Sequence, residues 1–297
     1  MAHMLILTGC DDGYYALYGL DTFPNAAYKY FLDLQYQLLA TDPVFFGVRG
    51  VGPWILRYAT PDTLAWQAKL FRHYMIEGKR DLLSNEYGYV YEPGYLANGE
   101  FTDGLKAWTV EGKVAVKNIP NYGYARGINN TAPDGDTVAV MTRVPGQVNR
   151  VRQTIRNLKV GKRYELLIRS ADYDDVMAGK NPLKVMTLKP EIRGAEVLGD
   201  ESIIYVYPVV MHALPGKFPD RRNGLSANCT RLVFRATAPQ AELTISDEVP
   251  GLPALQYHGR EFAPADPAQK QVMFNFVQVT ELLDDAPSFQ KLPFGGR

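Results

Sequence analysis

The chain has 297 residues, of which 32 are basic and 32 acidic, so its formal net charge at neutral pH is zero. A neutral chain without a block of Lys or Arg lacks the electrostatic attraction that binds nucleic acid or an anionic membrane surface, and neither is expected as a partner. The two cysteines, Cys10 and Cys229, are too few for a disulfide framework.

The first part of the chain alternates short apolar runs with amphipathic segments. The runs at residues 4–8 and 44–48 are typical of buried parallel strands. Residues 25–40 and 60–78 predict helices. Apolar residues recur there every three or four positions, which predicts one buried stripe in each helix: Ala27, Phe31, Leu34 and Leu38 in the first, and Leu64, Ala68, Phe71 and Met75 in the second. Residues 1–78 therefore predict a small α/β segment.

Residues 79–96 are rich in tyrosine and predict a linker. Such a segment is not a flexible Gly/Ser tether. We expect Tyr87, Tyr89 and Tyr91 to pack between the two parts of the chain and to fix their angle. The alternative is that these rings form a strip on which sugars stack.

The remainder, residues 97–283, alternates in the manner of antiparallel strands, and residues 284–297 form a tail. Tyr164, Leu166 and Ile168 share one face of a strand. Gly161 ahead of them predicts a tight turn that joins this strand to the preceding one as a hairpin. Residues 231–237 and 242–246 alternate again, and their predicted inward residues are Leu232, Phe234, Ala236, Leu243 and Ile245. The fold class predicted is mainly β.

Several short motifs occur in a definite order in this part: Asn98-Gly99-Glu100-Phe101 followed by Gly104-Leu105 and Trp108, then Gln153-Thr154-Ile155, then Leu158, Gly161 and Tyr164, and finally residues 274–282. Together they resemble the galactose-binding-like jelly-roll modules that bind carbohydrate and are appended to many bacterial xylanases and glucanases. The resemblance covers residues 97–283 except for an insertion at residues 176–228. It implies a jelly-roll β-sandwich that binds a polysaccharide or oligosaccharide.

The α/β segment resembles the last two β/α units of a TIM-barrel glycoside hydrolase. The resemblance rests on the segment Phe45-Phe46-Gly47-Val48-Arg49-Gly50-Val51 and on the helix that follows it. Two such units do not close an eight-stranded barrel, so their strands would have unpaired edges. We therefore expect this segment to pack on the sandwich or to form a homo-oligomer, or the sequence to be a fragment of a larger protein. The two resemblances together imply a secreted or extracellular protein whose signal peptide lies outside this sequence.

Candidate sugar-binding residues are flat rings, cations and amides near the predicted cleft. They are Tyr122, Tyr124, Arg126, Arg152, Gln153, Arg169 and Tyr173. In the family that the chain resembles, the strand matching Gln153 often contributes to the cleft. The alternation of the strand leaves a second interpretation open. Gln153 shares a face with Val151 and Ile155, so it would point into the core and have its hydrogen bonds satisfied there.

A structural calcium is a further implication of the resemblance. The family often holds this ion between the first strand and an acidic residue of the last strand. Glu100 matches the first position, whereas Asn275 occupies the second, which removes one negative ligand. No other cofactor is expected.

Two functions remain open, beside the alternative of a structural β-sandwich that mediates protein contacts. The first is noncatalytic carbohydrate binding as part of a larger bacterial protein of the glycoside hydrolase type. The second is a glycoside hydrolase whose active site lies between the α/β segment and the sandwich and uses Asp11, Asp12 or Asp21. Because Asp-Asp-Gly is ordinary turn chemistry and no paired carboxylates are evident, the sequence favours the first.

Overall fold

The computed structural model describes residues 3–7, 28–46, 48–53, 61–90, 94–120, 122, 136–178, 184–185, 188–199, 203–208, 226–248, 255–257, 260–264 and 271–282. The chain divides into two compact units: among the described residues, the first holds residues 3–90 together with Glu281 and Leu282, and the second holds residues 94–280. Among the described helices, none is both long and apolar enough to span a membrane.

The first unit contains two parallel strands and two α-helices. In chain order these are β1 (His3–Leu7), α1 (Tyr28–Thr41), β2 (Val48–Pro53) and α2 (Pro61–Phe71). A single π-helical turn, Arg72–Ile76, continues α2, and a 3-10 helix follows at Leu83–Tyr87. The α/β order predicted for this segment is therefore present.

The second predicted strand begins later than expected. Residues 43–45 form a 3-10 helix instead, because Pro43 favours the first helical position and the Asp42 carboxylate accepts the backbone N–H of Val44 at 2.9 Å. The extended chain starts only at Val48, the first residue of β2.

The two helices bury a different stripe from the one predicted. Trp66, Leu70 and Tyr74 pack in one core cluster with residues of α1 and with Leu83; the α1 residues are Leu32, Tyr36 and Leu39. The predicted stripe of Leu64, Phe71 and Met75 is exposed, as is Leu38. Both helices carry apolar residues on two sides, and the side with the larger aromatic rings removes more apolar surface from water.

The second unit is built almost wholly of strands. They are β3 (Thr109–Glu111), β4 (Val114–Asn118), β5 (Thr137–Thr142), β6 (Arg150–Ile155), β7 (Arg163–Asp172), β8 (Lys184–Val185), β9 (Lys189–Arg193), β10 (Ala195–Val197), β11 (Ile203–Pro208), β12 (Ser226–Ala236), β13 (Ala241–Ser246), β14 (Leu255–Tyr257), β15 (Arg260–Pro264) and β16 (Gln271–Glu281). One short helix, α3 (Tyr173–Met177), follows β7.

Two antiparallel sheets form a sandwich within the described residues. The larger has seven strands in the order β10-β12-β7-β16-β5-β4, with β11 also paired to β12, and the smaller has four in the order β3-β6-β13-β9. The core lies between them, because Tyr164, Leu166 and Phe234 of the larger sheet share one cluster with Leu243 and Ile245 of the smaller. The predicted mainly β fold and the predicted inward faces are thus confirmed.

The turn at Gly161 connects the two sheets and is not a hairpin. β6 belongs to the four-stranded sheet and β7 to the seven-stranded one, so the strands on either side of the turn do not pair. The backbone N–H of Gly161 donates to the carbonyl of Ala236, and that of Leu158 donates to Pro239. These bonds tie the crossover to the end of β12 and to the residues that follow it.

Candidate functional site

The outer face of the four-stranded sheet is polar, and its side chains are arranged by the pairing of three strands. Along β13 the inward residues Leu243 and Ile245 alternate with Glu242, Thr244 and Ser246, which point outward. In register, Thr244 lies between Arg152 of β6 and Glu191 of β9. Neighbouring strands are about 4.8 Å apart, so long side chains from β6 and β9 flank the short ones of β13.

This arrangement forms a groove that follows β13. Its floor is the short side chain of Thr244, which is only 8% exposed. Its cavity has a volume of about 340 Å³ and is lined by Arg150, Arg152, Glu191, Arg193, Glu242, Thr244 and Glu248. At about 3.4 Å per residue, residues 242–248 extend over roughly 20 Å. We call this feature the β13 groove.

The wall on the β6 side is a pair of arginines that share one carboxylate. A guanidinium nitrogen of Arg150 lies 3.0 Å from one oxygen of Glu111, and one of Arg152 lies 3.0 Å from the other oxygen. Glu111 comes from the edge strand β3, directly opposite Arg150. These pairs are partly exposed and contribute little to stability, so their N–H groups are available to a ligand at small cost.

The wall on the β9 side has the opposite arrangement, with one ammonium between two carboxylates. Nζ of Lys189 lies 2.9 Å from Glu248 and 3.1 Å from Glu191. The hydrogen bond to Glu248 and then that to Glu191 raise the pKa of Lys189, and the bond from Lys189 lowers the pKa of Glu248. Both groups therefore keep their charges throughout the neutral range.

Glu242 and Arg193 lie at one end of the groove and differ from the other charged residues. They are direct cross-strand partners and both are exposed. Within the described part of the chain, neither side chain has an ion pair or a hydrogen bond to another residue. A carboxylate and a guanidinium are thus presented side by side to solvent.

Of the predicted sugar-binding residues, Arg152 lines this groove. Gln153 points to the other side of the sheet, where its carboxamide accepts the backbone N–H of Ala97 at 2.6 Å and donates to the carbonyl of Ala97 at 2.9 Å. The Gln153 amide thus has its hydrogen bonds satisfied within the protein, as the second interpretation of the alternating strand expected. Gln153 therefore ties the segment before β3 to the sandwich.

Three other predicted residues lie away from the groove. Tyr122 is 1% exposed, so its ring belongs to the interior and does not face solvent as the prediction required. Arg169 is 2% exposed, and its guanidinium lies 5.0 Å from the centre of the Phe276 ring. Tyr173 begins α3 at the end of β7 and is half-buried. Tyr124 and Arg126 lie outside the described residues, as do Asp11, Asp12 and Asp21 of the hydrolase alternative.

The two residues of the predicted calcium site meet at Thr137. The Thr137 hydroxyl donates to the backbone carbonyl of Glu100 at 2.7 Å, and the Asn275 carboxamide donates to the carbonyl of Thr137 at 3.0 Å. No cluster of three or more His, Cys, Asp or Glu side chains suited to a metal occurs among the residues described. Calcium binding by Glu100 and Asn275 stays a prediction.

The tyrosines of the predicted linker pack within the first unit. Tyr87 and Tyr89 stack on each other with ring centres 5.8 Å apart, and Trp66 of α2 meets both edge-on at 5.2 and 5.1 Å. Lys69 and Lys29 lie over the two tyrosine rings. These rings therefore stabilise the first unit itself, and Tyr91 lies outside the described residues.

The sequence signal for the β13 groove was present but incomplete. Alternation predicts that Leu243 and Ile245 point inward, which leaves Glu242 and Thr244 outward. The missed residues Glu191 and Arg193 come from β9, whose pairing with β13 has no local sequence signal. Glu248 lies two residues beyond the end of β13.

The fold and the groove define the second unit as a β-sandwich with a polar, ligand-sized groove on its smaller sheet. No family model matches the chain, and no curated protein matches it. Among solved structures, it is similar to the enzymatically active domain of tailspike protein 4 from bacteriophage CBA120, with 15% identity and a TM-score of 0.35, over 63% of this chain and 21% of that one. The chain thus spans about a fifth of the tailspike domain.

Two smaller structures are also similar to this chain. One is TmCBM61 in complex with β-1,4-galactotriose, at 10% identity and a TM-score of 0.31, over 64% of this chain and 99% of that one. The other is a CBM4 structure at 13% identity and a TM-score of 0.24, over 62% of this chain and 97% of that one.

Proposed function

We propose that the second unit binds carbohydrate and that the β13 groove is the binding site. The observation that carries this proposal is the set of guanidinium and carboxylate groups that flank the short hydroxyl side chain of Thr244. A sugar hydroxyl both donates and accepts, so one ring can satisfy groups of both kinds. Hydrogen bonds that involve a charged partner are the stronger ones.

The charge of the groove disfavours the other ligands of similar size. Three basic residues of the lining, Arg150, Arg152 and Arg193, are balanced by three acidic ones, Glu191, Glu242 and Glu248. Their ion-pair partners Glu111 and Lys189 add one further charge of each sign. A nucleic acid strand or another polyanion would bring its phosphates against the carboxylates. An apolar ligand would displace the water that hydrates the charged side chains of the walls and would offer them no hydrogen bonds in return.

The affinity should come from hydrogen bonds and not from ring stacking. Among the residues that the structure describes, no aromatic side chain lines the groove. The volume of about 340 Å³ is near the lower end of the range for small-molecule sites. We expect weak binding of one short segment of a glycan, of the kind that a larger polysaccharide-degrading, secreted protein uses to remain on its substrate without catalysing its cleavage.

Affinity electrophoresis through gels that contain soluble β-glucan, xylan or mannan tests the proposal. At least one glycan should retard the unaltered chain. Arg152→Ala should raise the apparent Kd for that glycan about tenfold, because it removes a charged hydrogen-bond donor from the wall of the groove. Arg235→Ala is the matched control, since Arg235 is an exposed arginine of the seven-stranded sheet that pairs with Glu196 at 3.4 Å.

If Arg152→Ala and Arg235→Ala changed the retardation equally, the β13 groove would not be the binding site. No retardation by any glycan of a broad panel would remove carbohydrate binding. Release of reducing sugar from a retarding glycan would show that the protein is catalytic as well.

A further inference from the structure

We infer that Glu242 and Arg193 are the specificity-determining residues of the β13 groove and that they select an uncharged sugar with two adjacent free hydroxyls. This inference rests on the proposed function, because it names the class of glycan that the same groove would bind. It assigns to two residues a role that the other charged residues of the groove do not share.

The first step is the placement of the two side chains. Glu242 of β13 and Arg193 of β9 are paired directly in the antiparallel register. Directly opposed Cα atoms lie about 4.5 or 5.5 Å apart, according to the type of pair, and their side chains leave the sheet on the same face. Both side chains are exposed, and both line the groove.

The second step is their freedom from other partners. Arg150 and Arg152 are held by Glu111, and Lys189 is held by Glu191 and Glu248. Glu242 and Arg193 have no ion pair and no hydrogen bond with other described residues. A ligand therefore binds them without first breaking an interaction within the protein.

The third step is the chemistry that satisfies both groups together. One hydroxyl donates to the Glu242 carboxylate, and a hydroxyl on the neighbouring carbon accepts from the Arg193 guanidinium. A ligand carboxylate that approached Arg193 would also face Glu242 at a similar distance, and a ligand ammonium that approached Glu242 would face Arg193. Since like charges at such distances repel, the pair disfavours ionised groups of either sign.

The test compares a neutral and an acidic polysaccharide and uses a charge-swapped variant. Xylan and polygalacturonate are the two probes, each measured by affinity electrophoresis at low and at high salt. The single variants are Glu242→Ala and Arg193→Ala, and the double variant E242R/R193E exchanges the two groups. The matched control is E196R/R235E, which exchanges another cross-strand Glu–Arg pair, on the seven-stranded sheet.

We expect xylan to retard the unaltered chain equally at both salt concentrations, and polygalacturonate not to retard it. Each single variant should weaken xylan binding about tenfold, because a charged hydrogen-bond partner is lost. The swapped variant should stay within about threefold of the unaltered chain, because hydroxyls donate and accept with equal ease. The control swap should leave binding unchanged. Thermal midpoints show whether each variant is folded.

Three outcomes would overturn the inference while carbohydrate binding stands. One is stronger retardation by polygalacturonate than by xylan, lost at high salt. Another is a swapped variant that loses binding although it is folded, which would mean that the ligand presents a fixed donor and a fixed acceptor. The third is xylan binding that both single variants retain. If neither xylan nor any other glycan of the panel binds, the proposed function fails, and the inference fails with it.

Discussion

Asn149 donates two hydrogen bonds to the two carboxylate oxygens of Asp247, one from its backbone N–H at 2.8 Å and one from its carboxamide at 2.6 Å. Both residues are almost fully buried. The same carboxamide donates to the carbonyl of Thr142 and accepts the backbone N–H of Lys113. Asn149 thus joins the ends of β5 and β13 and the residue before β4, directly behind one end of the β13 groove.

We predict that Asp247→Ala lowers the free energy of unfolding by about 3 kcal/mol, because two buried donors of Asn149 lose their acceptor. Asp247→Asn should cost less, since an amide oxygen replaces one of the two acceptors. Urea unfolding followed by circular dichroism measures both. The control is Asp103→Ala, at an exposed loop position. Equal midpoints for the Asp247 and Asp103 variants would contradict the prediction.

A buried network in the first unit predicts a dependence on alkaline pH. The Tyr74 hydroxyl donates to the buried Asp33 carboxylate at 2.6 Å, and that carboxylate also accepts the backbone N–H of Ser84 at 2.5 Å. Burial, and then the hydrogen bond to Asp33, raise the pKa of Tyr74 above its ordinary value of 10. In the unfolded chain Tyr74 ionises near that ordinary value.

Because the folded pKa is the higher one, this contribution to stability is complete below about pH 10 and is lost as the pH rises through the folded pKa. Tyr74→Phe should cost about 1–3 kcal/mol at neutral pH, and the difference from the unaltered chain should shrink above about pH 10. Hydrogen exchange in peptides from α1 and α2 measures the stability of the first unit in both chains as a function of pH. Tyr87→Phe is the control, since Tyr87 is 44% exposed and the substitution keeps its ring. A difference that stays constant from pH 7 to 11 would contradict the argument.

The alternation of apolar residues was sufficient to predict the strands and their inner faces, and the resemblance implied the sandwich, but neither predicted the site. It places Tyr164, Leu166 and Ile168 on the inner face, as the structure does. It does not say that β6 pairs with β13, far along the chain, or that Gly161 lies at a crossover between sheets, because both depend on contacts distant in sequence. The groove arises from that pairing, and of the predicted binding residues that the structure describes, Arg152 is the one that lines it.

The periodicity of apolar residues also failed to predict which side of the helices is buried, and two variants of α2 test the observed side. α2 has apolar residues on two sides, and periodicity alone does not choose between them. Trp66 is 3% exposed, and its indole N–H donates to the carbonyl of Lys29 at 2.9 Å, whereas Leu64 is 39% exposed. We predict a loss of about 3–5 kcal/mol for Trp66→Ala and of less than about 1 kcal/mol for Leu64→Ala. Hydrogen exchange in α2 measures the destabilisation by each variant. A larger effect of Leu64→Ala would mean that the side of α2 predicted from the sequence is the buried one.

The floor of the groove offers a substitution that separates binding from folding. Thr244→Val removes the hydroxyl and keeps the branched shape that β-strands favour. We expect the unfolding midpoint to change little and the affinity for a retarding glycan to fall by about threefold to tenfold, the value of one hydrogen bond. Thr154→Val on β6 is the control, because Thr154 is absent from the lining of the groove. Equal affinities for both variants would mean that Thr244 does not contact the ligand.

Gly99, in the first motif of the sandwich, lies against the backbone of the last strand. Its carbonyl accepts the N–H of Val277 at 3.1 Å, next to Phe276, whose φ of 54° marks the irregularity in β16. A Cβ at Gly99 would overlap the carbonyl oxygen of Val277, which is backbone and has little room to move. We therefore predict that Gly99→Ala destabilises the sandwich by about 1–3 kcal/mol or more. Gly199→Ala is the control, because a Cβ there meets no atom within 4 Å. If urea unfolding gave both variants the same midpoint, the close approach of Gly99 to β16 would not hold in solution.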